Sequence, residues 1–215
     1  MNASNKGGGR IFSYTFLALI DFYLVFLRSK GVNSAMSSDD IEKLKKARLY
    51  GIVDLGYTAE GELVSTTQSL IAGGADIIQI RAKGYTQDQV EHFAIMLLPY
   101  CQRAGIPFIV NDFPEVASIV GADGVHIGQD DGSLQMVREI VGNEMIVGRS
   151  THSKEQAEVA LAEGFDYIGF GPLFPTPTKK GRPGIGMENV RYVEETVGRE
   201  IPVFCIGGIT RSNIQ

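Results

Sequence analysis

The 215-residue sequence has no tryptophan, two cysteines and three histidines. Cys101 and Cys205 lie far apart in apolar surroundings and lack C-x-x-C spacing, which is typical of buried, reduced thiols in a cytoplasmic protein. Three histidines are too few for a metal site built on a histidine cluster. A redox dithiol and a histidine-rich metal centre are therefore not expected.

An excess of positive charge is also missing, because the net charge is −5. A nucleic-acid groove needs a clustered basic surface, so we expect no nucleic-acid partner. The acidic balance still permits a locally cationic pocket for a small anionic molecule.

Long apolar runs are absent except near the amino terminus, at Ile11–Leu27. This run is at the short limit for a membrane span, and Asp21 in its middle would be costly in a bilayer. The sequence at 33–35 is a poor cleavage site for a signal peptide. We therefore interpret residues 1–35 as an upstream extension, as a wrongly assigned start codon would produce, and treat a membrane anchor as the minority alternative. The predicted domain is 36–215.

From residue 47 onward, short apolar runs alternate with amphipathic stretches such as Thr86–Ala104 and Ser153–Glu163. Most runs are nearly continuous in apolar residues, as expected of parallel strands buried on both faces. The predicted strands are Ala47–Asp54, Ile77–Lys83, Pro107–Asp112, Gly124–Gly128, Met145–Thr151, Tyr167–Phe174 and Val203–Ile209. This alternation predicts an α/β fold of the TIM (β/α)8-barrel type.

A Gly-x-Asp signature precedes every second strand, at 74–76, 121–123 and 164–166. Glycine suits the end of a helix, aspartate suits the turn into a strand, and the repeat favours a barrel. Because seven strands precede the end at Gln215, we expect a barrel truncated after its seventh strand. A doubly wound open sheet is the structural alternative, but no dinucleotide-type glycine fingerprint follows the first strand.

Polar side chains cluster where the predicted strands end, which is where the active sites of such barrels lie. Gln79, Arg81 and Lys83 are two residues apart, so they share one face of the second strand. Two cations and an amide on one face suit a bound diphosphate with an attached polar ring. The alternative is a strand end that surfaces into solvent.

Carboxylates follow the third and fourth strands, at Asp112, Asp130 and Asp131. Mg²⁺ takes few carboxylates and completes its octahedron with waters and phosphate oxygens, so one aspartate from each strand end would suffice. The alternative is that Asp130 or Asp131 caps the helix starting near Ser133. His126 fits a packed strand residue better than a catalyst.

The remaining strand ends offer donors for phosphate. Ser150 follows the fifth strand, although its hydroxyl could instead cap the next helix. Alternating prolines stiffen the segment 172–181, and its hydroxyls and cations predict an anion clamp; a merely rigid connector is the alternative. Gly207 and Gly208 permit close approach of backbone N–H groups to a phosphate.

Taken together, these motifs closely resemble the thiamine phosphate synthase (thiamine-phosphate pyrophosphorylase) family from about residue 48 to the chain end. The motifs are QIRAK at 79–83, VND at 110–112, GADGVHIGQDD at 121–131, GRSTHS at 148–153, FDYIGFGPLFPTPTKKG at 165–181 and CIGGI at 205–209. Residues 1–46 have no counterpart in the family pattern. The eighth strand of the family, which contributes phosphate-binding residues, is missing from this sequence.

The resemblance implies a transferase that joins a pyrimidine diphosphate to a thiazole phosphate, carboxylated or not, with Mg²⁺ as cofactor. It implies that the pyrimidine diphosphate is held by Gln79, Ile80, Arg81, Ala82, Lys83, Asn111, Ser150 and Lys179. It implies thiazole phosphate contacts by Thr176, Pro177, Thr178 and Gly208, and Mg²⁺ ligation by Asp112 and Asp131. Arg81, Lys83 and Lys179 would then be catalytic, because they neutralise the leaving diphosphate.

Two alternatives remain beside the synthase. A thiazole tautomerase shares the barrel but needs no diphosphate–Mg²⁺ site, and a phosphate-binding barrel without catalysis is suggested chiefly by the missing strand. The expected partners are small-molecule substrates, and self-association into a homo-oligomer is left open.

Overall fold

The computed structural model describes residues 38–175 and 184–213. Strands and helices alternate along the chain, with short 3₁₀ turns at Glu60–Glu62 and Val197–Arg199. The strands are β1 (Tyr50–Asp54), β2 (Ile77–Arg81), β3 (Phe108–Asn111), β4 (Gly124–Ile127), β5 (Ile146–Thr151), β6 (Tyr167–Phe170) and β7 (Val203–Cys205). The helices are α1 (Ser38–Lys46), α2 (Leu63–Ala72), α3 (Gln87–Ala104), α4 (Pro114–Val120), α5 (Leu134–Val141), α6 (Lys154–Glu163) and α7 (Met187–Thr196).

All seven strands are parallel and follow one another in sequence order across a single sheet. The sheet curls so that its first and last strands approach each other. Tyr50 of β1 packs edge-on against Phe204 of β7, with ring centroids 5.1 Å apart. No backbone pairing joins β1 to β7 within the described residues. This curled parallel sheet with crossover helices is the barrel-type architecture that the sequence predicts.

Two apolar clusters stabilise the sheet. The larger one fills the space between the strands and the helices, and it includes Ile80, Val110 and Val125. The smaller one lies inside the curl, where Ile77, Ile109, Ile146 and Tyr167 meet Leu44 of α1. Strands buried on both faces explain the nearly continuous apolar runs.

The helices begin and end where the sequence indicates. Thr86 and Gln89 form a capping box at the start of α3, and Gly105 ends the helix in the left-handed conformation, at φ 69°. Ser153 caps α6 by accepting from the backbone N–H of Gln156. Ser133 caps α5 in the same way, accepting from Met136.

The strands are shorter than the apolar runs that predicted them. The seventh run extends to Ile209, but β7 ends at Cys205, and the sixth extends to Phe174, but β6 ends at Phe170. In both, glycine or proline follows the strand and the chain leaves the sheet.

The aspartate of each Gly-x-Asp signature joins two neighbouring strands. The carboxylates of Asp76, Asp123 and Asp166 accept from the N–H groups of Leu49, Phe108 and Val147, at 2.9, 2.9 and 2.7 Å. Their own N–H groups donate to the carbonyls of the same three residues, at 2.8, 3.0 and 3.0 Å. We call each reciprocal pair an aspartate bridge. The aspartate therefore pairs with the preceding strand as well as shaping the turn.

Both cysteines are free thiols, and Cys101 is buried in α3. Cys205 is half-buried rather than fully buried, because it lies at the end of β7. In the part of the chain that the structure describes, no helix is long and apolar enough to cross a membrane. The apolar run Ile11–Leu27 lies outside the described residues.

Candidate active site

A cavity of about 360 Å³ opens among the strand ends. Residues from β1 to β7 line it, which places it inside the curl of the sheet. The lining includes Tyr50, Asp54, Gln79, Arg81, Asn111, His126, Ser150, Tyr167 and Phe204. Parallel strands of a barrel converge at this end, so side chains distant in sequence meet here.

The two cations predicted on the second strand are each held by a carboxylate, but only Arg81 is on it, because β2 ends at Arg81 and Lys83 lies two residues beyond. Arg81 donates from Nη1 to Asp54 Oδ2 at 2.6 Å, and Lys83 Nζ lies 2.9 Å from Asp112 Oδ2. The Arg81 side chain is 22% exposed and the Lys83 side chain 56%. Gln79 is buried, so the alternative of a strand end surfacing into solvent describes Lys83 only.

Asp54 was not among the predicted site residues. It ends β1 directly opposite Arg81 in the parallel register, and its second oxygen accepts from the N–H of Gly56 at 2.9 Å. These contacts fix the carboxylate, and the carboxylate in turn orients the guanidinium. The signal that could have revealed Asp54 was a charged residue ending an otherwise apolar strand.

Asp112 and Asp131 lie together, as the metal prediction requires. Burial raises the pKa of Asp112, the nearby Asp131 carboxylate raises it further, and the Lys83 ammonium opposes both effects. Asp112 adopts φ 66°, a conformation that aspartate tolerates better than most residues. Asp131 accepts from the N–H of Gly128 at 2.7 Å.

This pair fits a hard cation that takes few protein ligands. Two neighbouring carboxylates repel each other and gain from a positive ion, and Mg²⁺ fills its other positions with water and phosphate oxygens. The described residues contain no group of three or more histidine, cysteine, aspartate or glutamate side chains suited to a metal.

Two alternatives from the sequence are wrong. Neither Asp130 nor Asp131 caps the following helix, because α5 begins one turn later with Ser133 as its cap. Ser150 does not cap the next helix either, because Ser153 does so and Ser150 is still within β5.

Six polar side chains form a continuous series of hydrogen bonds across the inside of the curl, which we call the interior network: Ser150, His126, Tyr167, Tyr50, Gln79 and Asn111. Ser150 Oγ lies 2.9 Å from His126 Nε2, and His126 Nδ1 lies 3.0 Å from the Tyr167 hydroxyl. The two tyrosine hydroxyls are 2.8 Å apart. The Tyr50 hydroxyl donates to Gln79 Oε1 at 2.9 Å, and Gln79 Nε2 donates to Asn111 Oδ1 at 2.7 Å.

Three members of the interior network were missed from the sequence. Burial raises the pKa of both Tyr50 and Tyr167, so both phenols stay neutral. His126 is a buried strand residue, as expected, but it also faces the cavity. Its position between the tyrosine and Ser150 depends on strand register, which the sequence does not display.

Ile80 and Ala82 face away from the cavity. Their side chains are buried in the cluster between sheet and helices, so a contact with a ligand could come only from their backbone. Gly208 adopts φ 66°, and a side chain there would lie 2.7 Å from Cβ of Phe174. Thr176, Pro177, Thr178 and Lys179 lie outside the described residues.

Comparisons of the sequence with known proteins identify a single family. The sequence model of a family described as thiamine monophosphate synthase matches residues 49–215. A thiamine-phosphate synthase of Thermus thermophilus is 42% identical over 170 residues, which cover 78% of this chain and 81% of that protein. One of Gloeobacter violaceus is 39% identical over 183 residues, covering 85% of this chain, but this chain spans only 52% of that relative's length.

Solved structures agree with the sequence comparisons. A thiamine phosphate pyrophosphorylase from Pyrococcus furiosus superposes with a TM-score of 0.70 and 34% identity, covering 80% of each chain. An N-acetylmannosamine-6-phosphate 2-epimerase from Clostridium perfringens has a TM-score of 0.58 at 13% identity, covering 85% of this chain and 86% of its own. The second likeness concerns the fold alone.

Proposed function

Since this chain belongs to the thiamine monophosphate synthase family, we propose that it joins an aminopyrimidine diphosphate to a thiazole phosphate, releasing diphosphate and forming thiamine phosphate. The observation that carries this proposal is the grouping of charges after neighbouring strands: Arg81 lines the cavity, and Lys83, Asp112 and Asp131 lie together where β2, β3 and β4 end. Cations beside a carboxylate pair suit a diphosphate together with a divalent cation.

The proposed roles follow from charge and position. Arg81, oriented by Asp54, and Lys83 neutralise the charge that grows on the diphosphate as its bond to the pyrimidine CH₂ carbon breaks. The ring nitrogen of the thiazole then bonds to that carbon. No covalent nucleophile of the protein is required for this exchange.

Asp112 and Asp131 are the residues that would hold Mg²⁺. The bound ion would supply further neutralisation of the diphosphate oxygens. With Asp112 holding the ion, Lys83 would be available to the diphosphate. This exchange of partners rests on the ion pair of 2.9 Å between the two side chains.

The thiazole phosphate is assigned to the segment after β6 and the end of β7. Thr176, Pro177, Thr178, Lys179 and Gly208 are proposed on the resemblance to the family. The left-handed backbone at Gly207 and Gly208 supports this assignment, because successive glycines let N–H groups approach a phosphate. We also propose a cytoplasmic location, which the two free thiols support.

The test is product formation by the purified chain. We expect thiamine phosphate to appear, detected as its fluorescent oxidised form after chromatography, when both substrates and Mg²⁺ are present. Omission of Mg²⁺ should stop turnover. Binding of the pyrimidine diphosphate without product would instead indicate a phosphate-binding barrel without catalysis.

A further inference from the structure

With the carboxamides of Gln79 and Asn111 oriented as in the structure, the hydrogens of the interior network can be arranged in one direction only. We infer that Tyr50 and Tyr167 are positioning residues that carry this direction to His126 and thereby make the cavity select an aminopyrimidine over the corresponding oxopyrimidine. The identity of the ligand rests on the proposed function, whereas the arrangement of hydrogens does not.

The direction begins at Tyr50. A neutral phenol carries one hydrogen, and the hydroxyl of Tyr50 donates it to Gln79 Oε1 at 2.9 Å. Tyr50 must therefore be the acceptor in its 2.8 Å contact with Tyr167. Tyr167 has then used its own hydrogen and can only accept from its other neighbour.

That neighbour is the imidazole of His126. Its Nδ1, 3.0 Å from the Tyr167 hydroxyl, must carry a hydrogen to donate there. A neutral imidazole has one N–H, so Nε2 is left as an acceptor. The hydroxyl of Ser150, 2.9 Å away, donates to Nε2.

The two ends of the interior network are thereby made different. The hydrogen of Ser150 is committed to His126, which leaves the hydroxyl oxygen as an acceptor. The carboxamide oxygen of Asn111 is committed to Gln79, which leaves its N–H groups as donors. Both residues line the cavity.

A ligand must match this pattern of one acceptor and one donor. An aminopyrimidine offers an amino hydrogen to Ser150 and a bare ring nitrogen to Asn111. An oxopyrimidine offers a carbonyl oxygen and a ring N–H. Two acceptors would then face each other at Ser150, and two donors at Asn111. Unpaired polar groups in a confined site are costly, and sites of this kind discriminate strongly.

The first test needs no substrate. Nitrogen-15 NMR of the protein near pH 8 distinguishes the N–H nitrogen of His126 from the bare one, and loss of the signals in His126→Gln assigns them. We expect the hydrogen on Nδ1. A hydrogen on Nε2 would mean that the network runs in the opposite direction and would overturn the inference.

The second test removes the hydroxyl that carries the direction from Gln79 to Tyr167. In Tyr50→Phe the ring is kept against Phe204, but the hydrogen of Tyr167 is released and can turn to His126 Nδ1. We expect the imidazole hydrogen to move to Nε2. Tyr192→Phe is the matched control, because it removes a tyrosine hydroxyl that donates to Glu158 on the surface. Retention of the Nδ1 hydrogen in Tyr50→Phe would contradict the proposal.

The third test concerns selectivity, measured as competition of the aminopyrimidine diphosphate and its oxo analogue for the cavity. We expect the preference for the amino compound to fall by about tenfold or more in Tyr50→Phe and to be unchanged in Tyr192→Phe. Equal preference in Tyr50→Phe and the unaltered protein would overturn the selectivity. If the unaltered protein forms no thiamine phosphate but carries the Nδ1 hydrogen, the proposed function fails and the assigned direction stands.

Discussion

At the scale of single residues, the site is marked by charges that are already paired before any ligand arrives. Arg81 is held by Asp54, and Lys83 is held by Asp112. Pairing costs some attraction for a diphosphate but gives each cation a defined position. Position matters more than raw charge where a leaving group must be met in one geometry.

Replacement of Arg81 by alanine should abolish turnover, because its charge opposes the growing charge of the leaving diphosphate. We expect kcat/KM to fall by about 100-fold or more, as when an electrostatic contact in a transition state is removed. The far-ultraviolet circular dichroism and the cooperative unfolding transition should be retained. Arg103→Ala is the matched control, since Arg103 lies on α3 beside the ring of Tyr100. Near-normal activity of Arg81→Ala would remove Arg81 from the site.

Replacement of Asp112 by asparagine should weaken the binding of Mg²⁺. We expect Mg²⁺ with inorganic diphosphate to stabilise the unaltered protein by about 2.7 kcal/mol at a hundredfold excess over the dissociation constant, and to stabilise Asp112→Asn much less. Without ligands the variant should lose little stability, because the substitution removes the repulsion from Asp131 together with the contact to the exposed Lys83. Unfolding in urea with and without the ligands gives both values.

Asp130→Asn is the control for the metal, because Asp130 is exposed and neighbours the proposed ligand. It should keep the full stabilisation by Mg²⁺ and diphosphate. Equal losses in Asp130→Asn and Asp131→Asn would show that the wrong aspartate of this pair has been chosen.

At the scale of elements, the aspartate bridges join strands at the ends opposite the cavity. Asp123→Ala should lower the free energy of unfolding by about 1–3 kcal/mol, because the part-buried N–H of Phe108 loses its acceptor. Urea denaturation measures this change. Asp88→Ala, on the exposed first turn of α3, should have a smaller effect. An effect no larger than that of Asp88→Ala would mean that water replaces the lost carboxylate.

Much of the elements and part of the site could be predicted from the sequence. The parallel strands could be predicted because strands buried on both faces have nearly continuous apolar runs. The shared face of Gln79 and Arg81 could be predicted because side chains two residues apart point to the same side of a strand. The bridging aspartates were recognised only as turn residues, because their partners lie 15 to 27 positions away. Tyr50 and Tyr167 lie 117 positions apart, so their contact depends on closure of the sheet.

At the scale of the whole molecule, aromatic side chains hold the first and last strands together. Tyr50, Tyr167 and Phe204 pack with ring centroids 5.1 to 5.8 Å apart. Such contacts add to the burial of the rings. Two of them, those made by Tyr50, connect β1 to β6 and β7, with which β1 shares no backbone pairing in the described residues.

Phe204→Ala should therefore weaken the whole curl. We expect a loss of about 2 kcal/mol in the free energy of unfolding, below the 3–5 kcal/mol of a fully buried phenylalanine, because Phe204 is half-buried. Met187→Ala removes an exposed apolar side chain from α7 and should change stability little. Chemical denaturation followed by circular dichroism compares the two variants. Loss of stability in Met187→Ala alone would contradict the role given to the aromatic contacts.

The aspartate bridges join β1 to β2, β3 to β4 and β5 to β6. Each bridge thus lies inside one pair of strands, and the signature that encodes it recurs once per pair. The barrel is therefore built from pairs of strands, and each pair is joined by its own aspartate bridge. Exchange of a segment between relatives at a boundary between pairs would keep both partners of every bridge in the same parent, whereas a boundary within a pair would separate them.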